Sequence, residues 1–217
     1  MSKPLISRYT TASGPEAEFQ PGSRGRVLRN RLGITRKREI DRLEFEALIR
    51  VQEEYYARIE DDTRFNAALI CEMHRDWLGD LYEWAGVYRT VELSKGSFRW
   101  PPAYLVERNM VDFEAQVLER RTPCRPAPLP EVALTLAEVH AELLLVHPFR
   151  EGNGRLARWL ADLMALQAGL PLPEYGLAGR GSVQRKYRYL TAVQRGYAQD
   201  CQPLADFFRE SLERAAA

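Results

Sequence analysis

The chain has 217 residues, 45% of them hydrophobic, which suits one domain with a sizeable core, or one domain with a short extension. Its 31 Lys and Arg against 30 Asp and Glu leave a net charge of +1, so nothing in the charge balance points to nucleic acid or a membrane surface. No apolar run reaches the length of a membrane span, the N-terminus lacks the apolar stretch of a signal peptide, and Cys71, Cys124 and Cys201 form no metal-ligand pattern; a reducing, cytoplasmic setting is expected.

Residues 1–26 contain ASGPEAEFQPGSRGR, rich in Gly, Pro, Ser and charge, and predict an extended or mobile arm ahead of a domain over 27–217. From Thr35 the apolar positions Ile40, Leu43, Ala47, Leu48 and Val51 recur at helical spacing and predict a helix to about Ile59. A second helix is expected from Thr63, with Phe65, Ala68, Leu69 and Met73 inward, through HRDWLGDLYEWAG to Gly86. His74 in this run reads as an interfacial helix residue, and Trp77, Leu81, Tyr82 and Trp84 as core. Residues Val87–Tyr104 change character: Val, Tyr and Thr precede a Lys95-Gly96 turn, Ser97, Phe98 and Trp100 follow it, and Pro101 and Pro102 close a short hairpin. Leu105 to about Arg120 is again helical, RRTPCRPAPLP is a loop, and Pro130 suits the first turn of a helix holding Val132, Leu136, Val139 and Leu143. His140, two turns before the end of that helix, reads as a packing residue.

That helix delivers His147, the first residue of HPFREGNGRLAR, His147–Arg158. If Gly152–Gly154 turn into a helix from about Arg155 to Ala168, free N–H groups and the positive helix end converge on one spot, which favours phosphate. Glycines on both sides of Asn153 allow close approach to phosphate oxygens. Arg155 and Arg158, three apart on the helix, add planar forks for bidentate contact, so the segment suits a di- or triphosphate. His147 titrates near neutral pH and is the natural general base for a hydroxyl nucleophile. Glu151 beside bound phosphates implies a bridging Mg²⁺, which takes one or two carboxylates together with substrate phosphates. Pro148 and Phe149 stiffen and anchor the loop. GNGRLA also fits the degenerate dinucleotide fingerprint, but no strand precedes it, and no Lys-Ser/Thr pair follows to make a Walker loop.

HPFREGNGRLAR resembles the signature of the Fic family, with every fixed position present. VLRNRLGI and DLYEWAGVYR resemble stretches near the start of Fic domains and before their flap, and the likeness extends over residues 26 to 212. It implies an all-α fold, a helical core with a short β-hairpin flap, and transfer of AMP from ATP to a Tyr, Ser or Thr hydroxyl of a protein. In this likeness His147 is the base and Glu151 holds magnesium. Gly152, Asn153 and Gly154 bind the α- and β-phosphates, Arg155 and Arg158 the outer ones. Tyr189 packs by the nucleobase, and the flap residues Lys95, Gly96, Ser97 and Phe98 dock the target by main-chain pairing. Many Fic proteins carry an inhibitory helix with Ser or Thr, three residues, then Glu followed by Gly or Asn. Only Thr35 to Glu39 matches that spacing, and Ile40 follows. The expectation is therefore a short bacterial toxin restrained by a small separate antitoxin, with secretion into a host cell as the other setting. Two other functions stand beside it: a related phosphate-group transferase, and a non-catalytic module that binds a partner when nucleotide is bound.

Overall fold

The computed structural model of the protein describes residues 10–11, 15–179 and 181–216. It is mostly helical with a small antiparallel sheet, and the chain falls into two units.

The first unit comprises the residues up to Ala57, Ala67–Met110 and Val146–Asn153. Its helix α1 (Lys37–Arg58) buries Ile40, Glu44, Leu48, Val51 and Tyr55, a stripe at three- and four-residue spacing. The carboxylate in that stripe is satisfied: Tyr82 donates its hydroxyl to Glu44 at 2.6 Å, and the Trp77 indole N–H donates to the Glu44 carbonyl at 2.8 Å. Helix α2 (Ala67–Leu78) buries Ile70, Met73, His74, Trp77 and Leu78. The sequence pattern predicted this helix to reach Gly86, but it stops at Leu78, where Gly79 and Asp80 are poor helix formers. Leu81 and Tyr82 both turn back to the Leu78 carbonyl, at 2.9 Å each. Gly86 then takes a left-handed φ of +75°, in a place where a Cβ would lie 2.8 Å from the Cys71 carbonyl oxygen. Asn30 organises VLRNRLGI by closing a turn: its side-chain amide donates to the Ile34 carbonyl at 2.9 Å and accepts from the Ile34 N–H at 2.9 Å.

The hairpin pairs β2 (Leu93–Lys95) with β3 (Phe98–Arg99), Lys95 opposite Phe98. Gly96 at φ +61° is the first residue of the two-residue turn, where a type II′ hairpin turn calls for glycine. Both strands are short, as the sequence predicted. A third strand not foreseen from the sequence, β1 (Thr10–Thr11), pairs antiparallel with β2, giving the order β1-β2-β3. Of the expected N-terminal arm, 1–9 and 12–14 lie outside the described residues. Within 15–26, Ser23 is buried and the Glu16 carboxylate accepts from the Thr90 N–H and hydroxyl, both at 3.1 Å.

The second unit comprises Arg58–Asn66, Val111–Leu145 and Gly154–Ala217. Helix α3 (Val106–Phe113), whose residues up to Met110 belong to the first unit, passes through a π-helical turn (Glu114–Leu118) into α4 (Glu119–Arg121). Then come α5 (Leu129–Val146), α6 (Asn153–Gln167), α7 (Ser182–Gly196) and α8 (Gln202–Ala215). Leu136, Leu143, Leu160, Leu163, Met164, Phe207 and Phe208 are buried here. Gly196 lets α7 approach α5 closely, since a Cβ there would lie 2.7 Å from that of Ala141. Arg185 stacks over Phe207 at 4.7 Å and donates to the Tyr175 carbonyl and to Ser211 Oγ, which ties α7 to α8 and to the loop before α7.

Candidate active site

The His147–Arg158 segment crosses from one unit to the other inside the first turn of α6, between Asn153 and Gly154. Each part is held by its own surroundings.

In the first unit, α5 ends at Val146 and His147 adopts a left-handed φ of +52°, a conformation that costs a β-carbon residue about 1–2 kcal/mol. The surroundings hold it there. Arg89 donates from Nε to the His147 carbonyl at 2.8 Å and from its main-chain N–H to the Pro148 carbonyl at 2.8 Å. Trp100, at the root of the hairpin, lies against the imidazole with ring centroids 4.1 Å apart. The histidine is 4% exposed.

Beyond it, Phe149 is fully buried and stacks on His74 at 3.9 Å between centroids, 7° from parallel. The Asn153 side chain spans the loop in both directions: Oδ1 accepts from the Phe149 N–H at 2.9 Å and Nδ2 donates to the Phe149 carbonyl at 2.7 Å. Both ends of this amide are tied to the loop, and the Asn153 main-chain N–H stands at the start of α6, where the first N–H groups of a helix have no intrahelical partner. Gly152 has no alternative residue type: φ is +88°, and a Cβ would sit 2.8 Å from Cζ3 of Trp77. Glu151 is half-buried between these fixed points.

His74 read as an interfacial helix residue in the sequence, and its position against this loop went unforeseen. The Gly86 N–H donates to its Nδ1 at 2.8 Å, so Nε2 carries the proton and donates to the Glu151 carbonyl at 3.1 Å. A neutral imidazole thus fixes the backbone of the expected metal-binding residue. The missing signal was tertiary, because His74 and Glu151 are 77 residues apart.

In the second unit, the first two turns of α6 carry Gly154, Arg155 and Arg158. Gly154 has no left-handed φ, and the nearest atom to a Cβ built there is Arg158 Nη1 at 3.7 Å, an ordinary contact. The protein's own packing does not require this glycine, although it costs a helix roughly 0.8–1 kcal/mol relative to alanine. A β-carbon would fit at this point of the helix start without a clash. Arg158 is braced from below: its Nη1 donates to the Tyr189 hydroxyl at 3.4 Å, and its guanidinium lies 5.9 Å from the centre of the Tyr189 ring. That hydroxyl in turn donates to His140 Nε2 at 2.8 Å, because His140 Nδ1 donates to the Ala157 carbonyl at 3.1 Å. Burial, and secondarily the Arg158 charge, push His140 down to about 3, against the bond to Ala157, so it stays neutral. Burial likewise raises the Tyr189 phenol. Tyr189, expected beside the nucleobase, is 5% exposed and directs its hydroxyl to His140 and Arg158. His140 therefore touches the signature at the Ala157 carbonyl and reaches Arg158 through Tyr189, links that sequence separation concealed.

At the hairpin, Lys95, Gly96 and Ser97 are exposed and Phe98 is half-buried, packed edge-on to Trp100 at 5.2 Å. Among the described residues no cluster of three or more His, Cys, Asp or Glu forms a metal cage. Magnesium bound together with nucleotide needs no such cage; one carboxylate such as Glu151 beside substrate phosphates fits its habits.

A profile of the Fic/DOC family matches residues 64–165. The Sinorhizobium fredii protein y4lH, named probable protein adenylyltransferase, is 32% identical over 209 residues, which cover 94% of this chain and 99% of y4lH. The chain belongs to the Fic/DOC family. A further relative, the Bartonella schoenbuchensis protein adenylyltransferase VbhT, is 28% identical over 76% of this chain; the match spans 33% of VbhT, which is much longer. In fold, the chain is similar to the Bartonella tribocorum effector BepC, solved with bound AMPPNP, with a TM-score of 0.67 at 20% identity over 85% of this chain and 91% of that one. It is also similar to the Fic domain of Bartonella Bep8, with a TM-score of 0.72 at 16% identity over 88% of this chain and 94% of that one. The Fic fold expected from the signature is the fold observed. Among the described residues no helix is long and apolar enough to cross a membrane.

Proposed function

We propose that this Fic protein is a protein adenylyltransferase that moves AMP from ATP to a Tyr, Ser or Thr hydroxyl of a target protein. It is a nucleotidyltransferase in which His147 takes the proton of the hydroxyl while that oxygen attacks the α-phosphorus. The bond from the α-phosphorus to the bridging oxygen breaks, and pyrophosphate leaves. The main-chain N–H groups of Asn153, Gly154 and Arg155 at the start of α6 stabilise the growing charge on the phosphate, with Arg155 and Arg158 on the outer phosphates. Glu151 would hold Mg²⁺, which neutralises charge between phosphates when bound. The observation that carries this reading is Gly154: a helix-start glycine that the protein's packing does not need, beside a signature with all its charged groups present.

A target strand would pair with the hairpin. Because β2 is flanked by β1 and β3, it would add beside Phe98–Arg99 or take the place of Thr10–Thr11. Restraint by a separate small protein is part of the proposal: Glu39 is exposed in the first turn of α1 and serves a helix start, which supports placing the inhibitory element outside this chain. A bacterial toxin role goes with it.

The test uses purified protein, Mg²⁺, cell lysate and ATP labelled on the α- or the γ-phosphate. Label reaching protein from the α-position alone is the expected result; label from the γ-position would mean phosphotransfer instead.

A further inference from the structure

Arg89 is 2% exposed, one of the largest fully buried side chains, and all three of its side-chain nitrogens donate to main-chain carbonyls. Nε reaches His147 at 2.8 Å, Nη1 reaches Val91 at 2.9 Å and Nη2 reaches Pro101 at 2.7 Å. Val91 and Pro101 bracket the hairpin, two residues before Leu93 at the start of β2 and two after Arg99 at the end of β3. One rigid fork therefore joins both legs of the flap to the carbonyl of His147, whose φ is +52°. Trp100, between the second leg and Pro101, lies on the imidazole. Burial lowers the guanidinium pKa, opposed by the charges of Glu92 and Glu16, so the cation sits here at a cost in hydration that three neutral carbonyls only partly offset. A structural brace for two hairpin legs would not need to be charged or to reach the histidine.

We propose that Arg89 is a positioning residue for the reaction: it sets the main chain of His147, and with it the direction of the imidazole, relative to the flap that presents the target. The proposal rests on the reading of His147 as general base. Substitution by lysine keeps the charge but replaces a planar fork with a point donor that cannot satisfy carbonyls in three directions. A misplacement of about 1 Å at a reacting group can cost about 100-fold in rate.

The test compares wild type with Arg89→Lys and Arg89→Gln. The chain has three histidines, His74, His140 and His147, so histidine-selective NMR resolves each imidazole. In both variants the His147 resonances shift while those of His140 stay in place. Turnover of α-labelled ATP onto lysate proteins falls about 100-fold, and affinity for AMPPNP stays within about twofold, since the helix that binds phosphate is unaltered. An unmoved His147 resonance, or AMPPNP affinity falling in step with turnover, would overturn the positioning role. Variants that fail to fold at all would also overturn it, in favour of a purely structural brace. If wild type itself transferred no label, the adenylyltransferase reading would fail, while the NMR comparison would still decide whether Arg89 sets His147.

Discussion

The two parts of the signature are built on opposite principles. From His147 to Asn153 the polar groups described are tied to the protein itself: carbonyls to Arg89 and His74, the Asn153 amide to Phe149, and Gly152 pressed against Trp77. From Gly154 to Arg158 the packing would accept a β-carbon at the glycine, and Arg158 is braced from behind through Tyr189 and His140. A proton acceptor must be aimed before the substrate arrives, so its loop is over-determined. Phosphates need N–H groups and charge that remain accessible, and a glycine at the helix start suits that. The difference teaches which substitutions unfold the protein and which spare the fold but cost it nucleotide.

Gly152→Ala should break the rigid part outright. A methyl group at φ +88°, with Cζ3 of Trp77 at 2.8 Å, combines backbone strain with overpacking, and a loss of about 3 kcal/mol in a denaturant titration is expected. Little or no loss would mean that the loop is far more pliant than its hydrogen bonds imply.

The helix side has its own pH signature. His140 is held at about 3 in the folded protein, below its ordinary 6.5, so the unfolded chain takes up a proton that the folded one refuses. Its contribution is intact above pH 6.5 and is lost as pH falls toward 3, at up to about 1.4 kcal/mol per pH unit. Melting temperature followed from pH 7 to 4.5 should fall more steeply for wild type than for His140→Gln; parallel curves would mean that His140 titrates normally in the fold.

Tyr189→Phe removes one hydroxyl and leaves His140 Nε2 without its donor, at about 1 kcal/mol of stability. Because the same oxygen accepts from Arg158, AMPPNP affinity should weaken several-fold; unchanged affinity would make the Tyr189–His140 pair a packing feature only.

The smallest stability effect is the sharpest contrast. Gly154→Ala meets nothing closer than 3.7 Å and should leave stability unchanged, or raise it by up to about 1 kcal/mol, while weakening AMPPNP binding about tenfold. Calorimetry on the same sample reads both; a loss of stability would show that the glycine serves the fold after all.

How legible these two parts were in the sequence follows from how local they are. HPFREGNGRLAR is contiguous, so its histidine, carboxylate, glycines and arginines announce a base and a phosphate site without any tertiary information, and the helix beginning at Asn153 lies close to where the glycines put it. The braces were not legible. Arg89 lies 58 residues from His147, His74 77 residues from Glu151, and Tyr189 49 residues from His140; each looks like an unremarkable member of its own helix or loop. The overlong α2 has a local cause: the aromatic residues of LYEW keep a helical rhythm, but they pack from turns after Gly79. The pairing of Thr10–Thr11 with β2 depends on partners more than 80 residues away, and no short-range pattern encodes it.

The most direct measurement of the account is His147→Ala assayed twice, for AMP transfer from α-labelled ATP and for AMPPNP binding by calorimetry. Transfer reduced by at least about 1000-fold, with affinity within about twofold of wild type, is the result predicted when the loop supplies the base and the helix start holds the nucleotide. Transfer that survives the substitution, or nucleotide affinity that collapses with it, would contradict that division of labour.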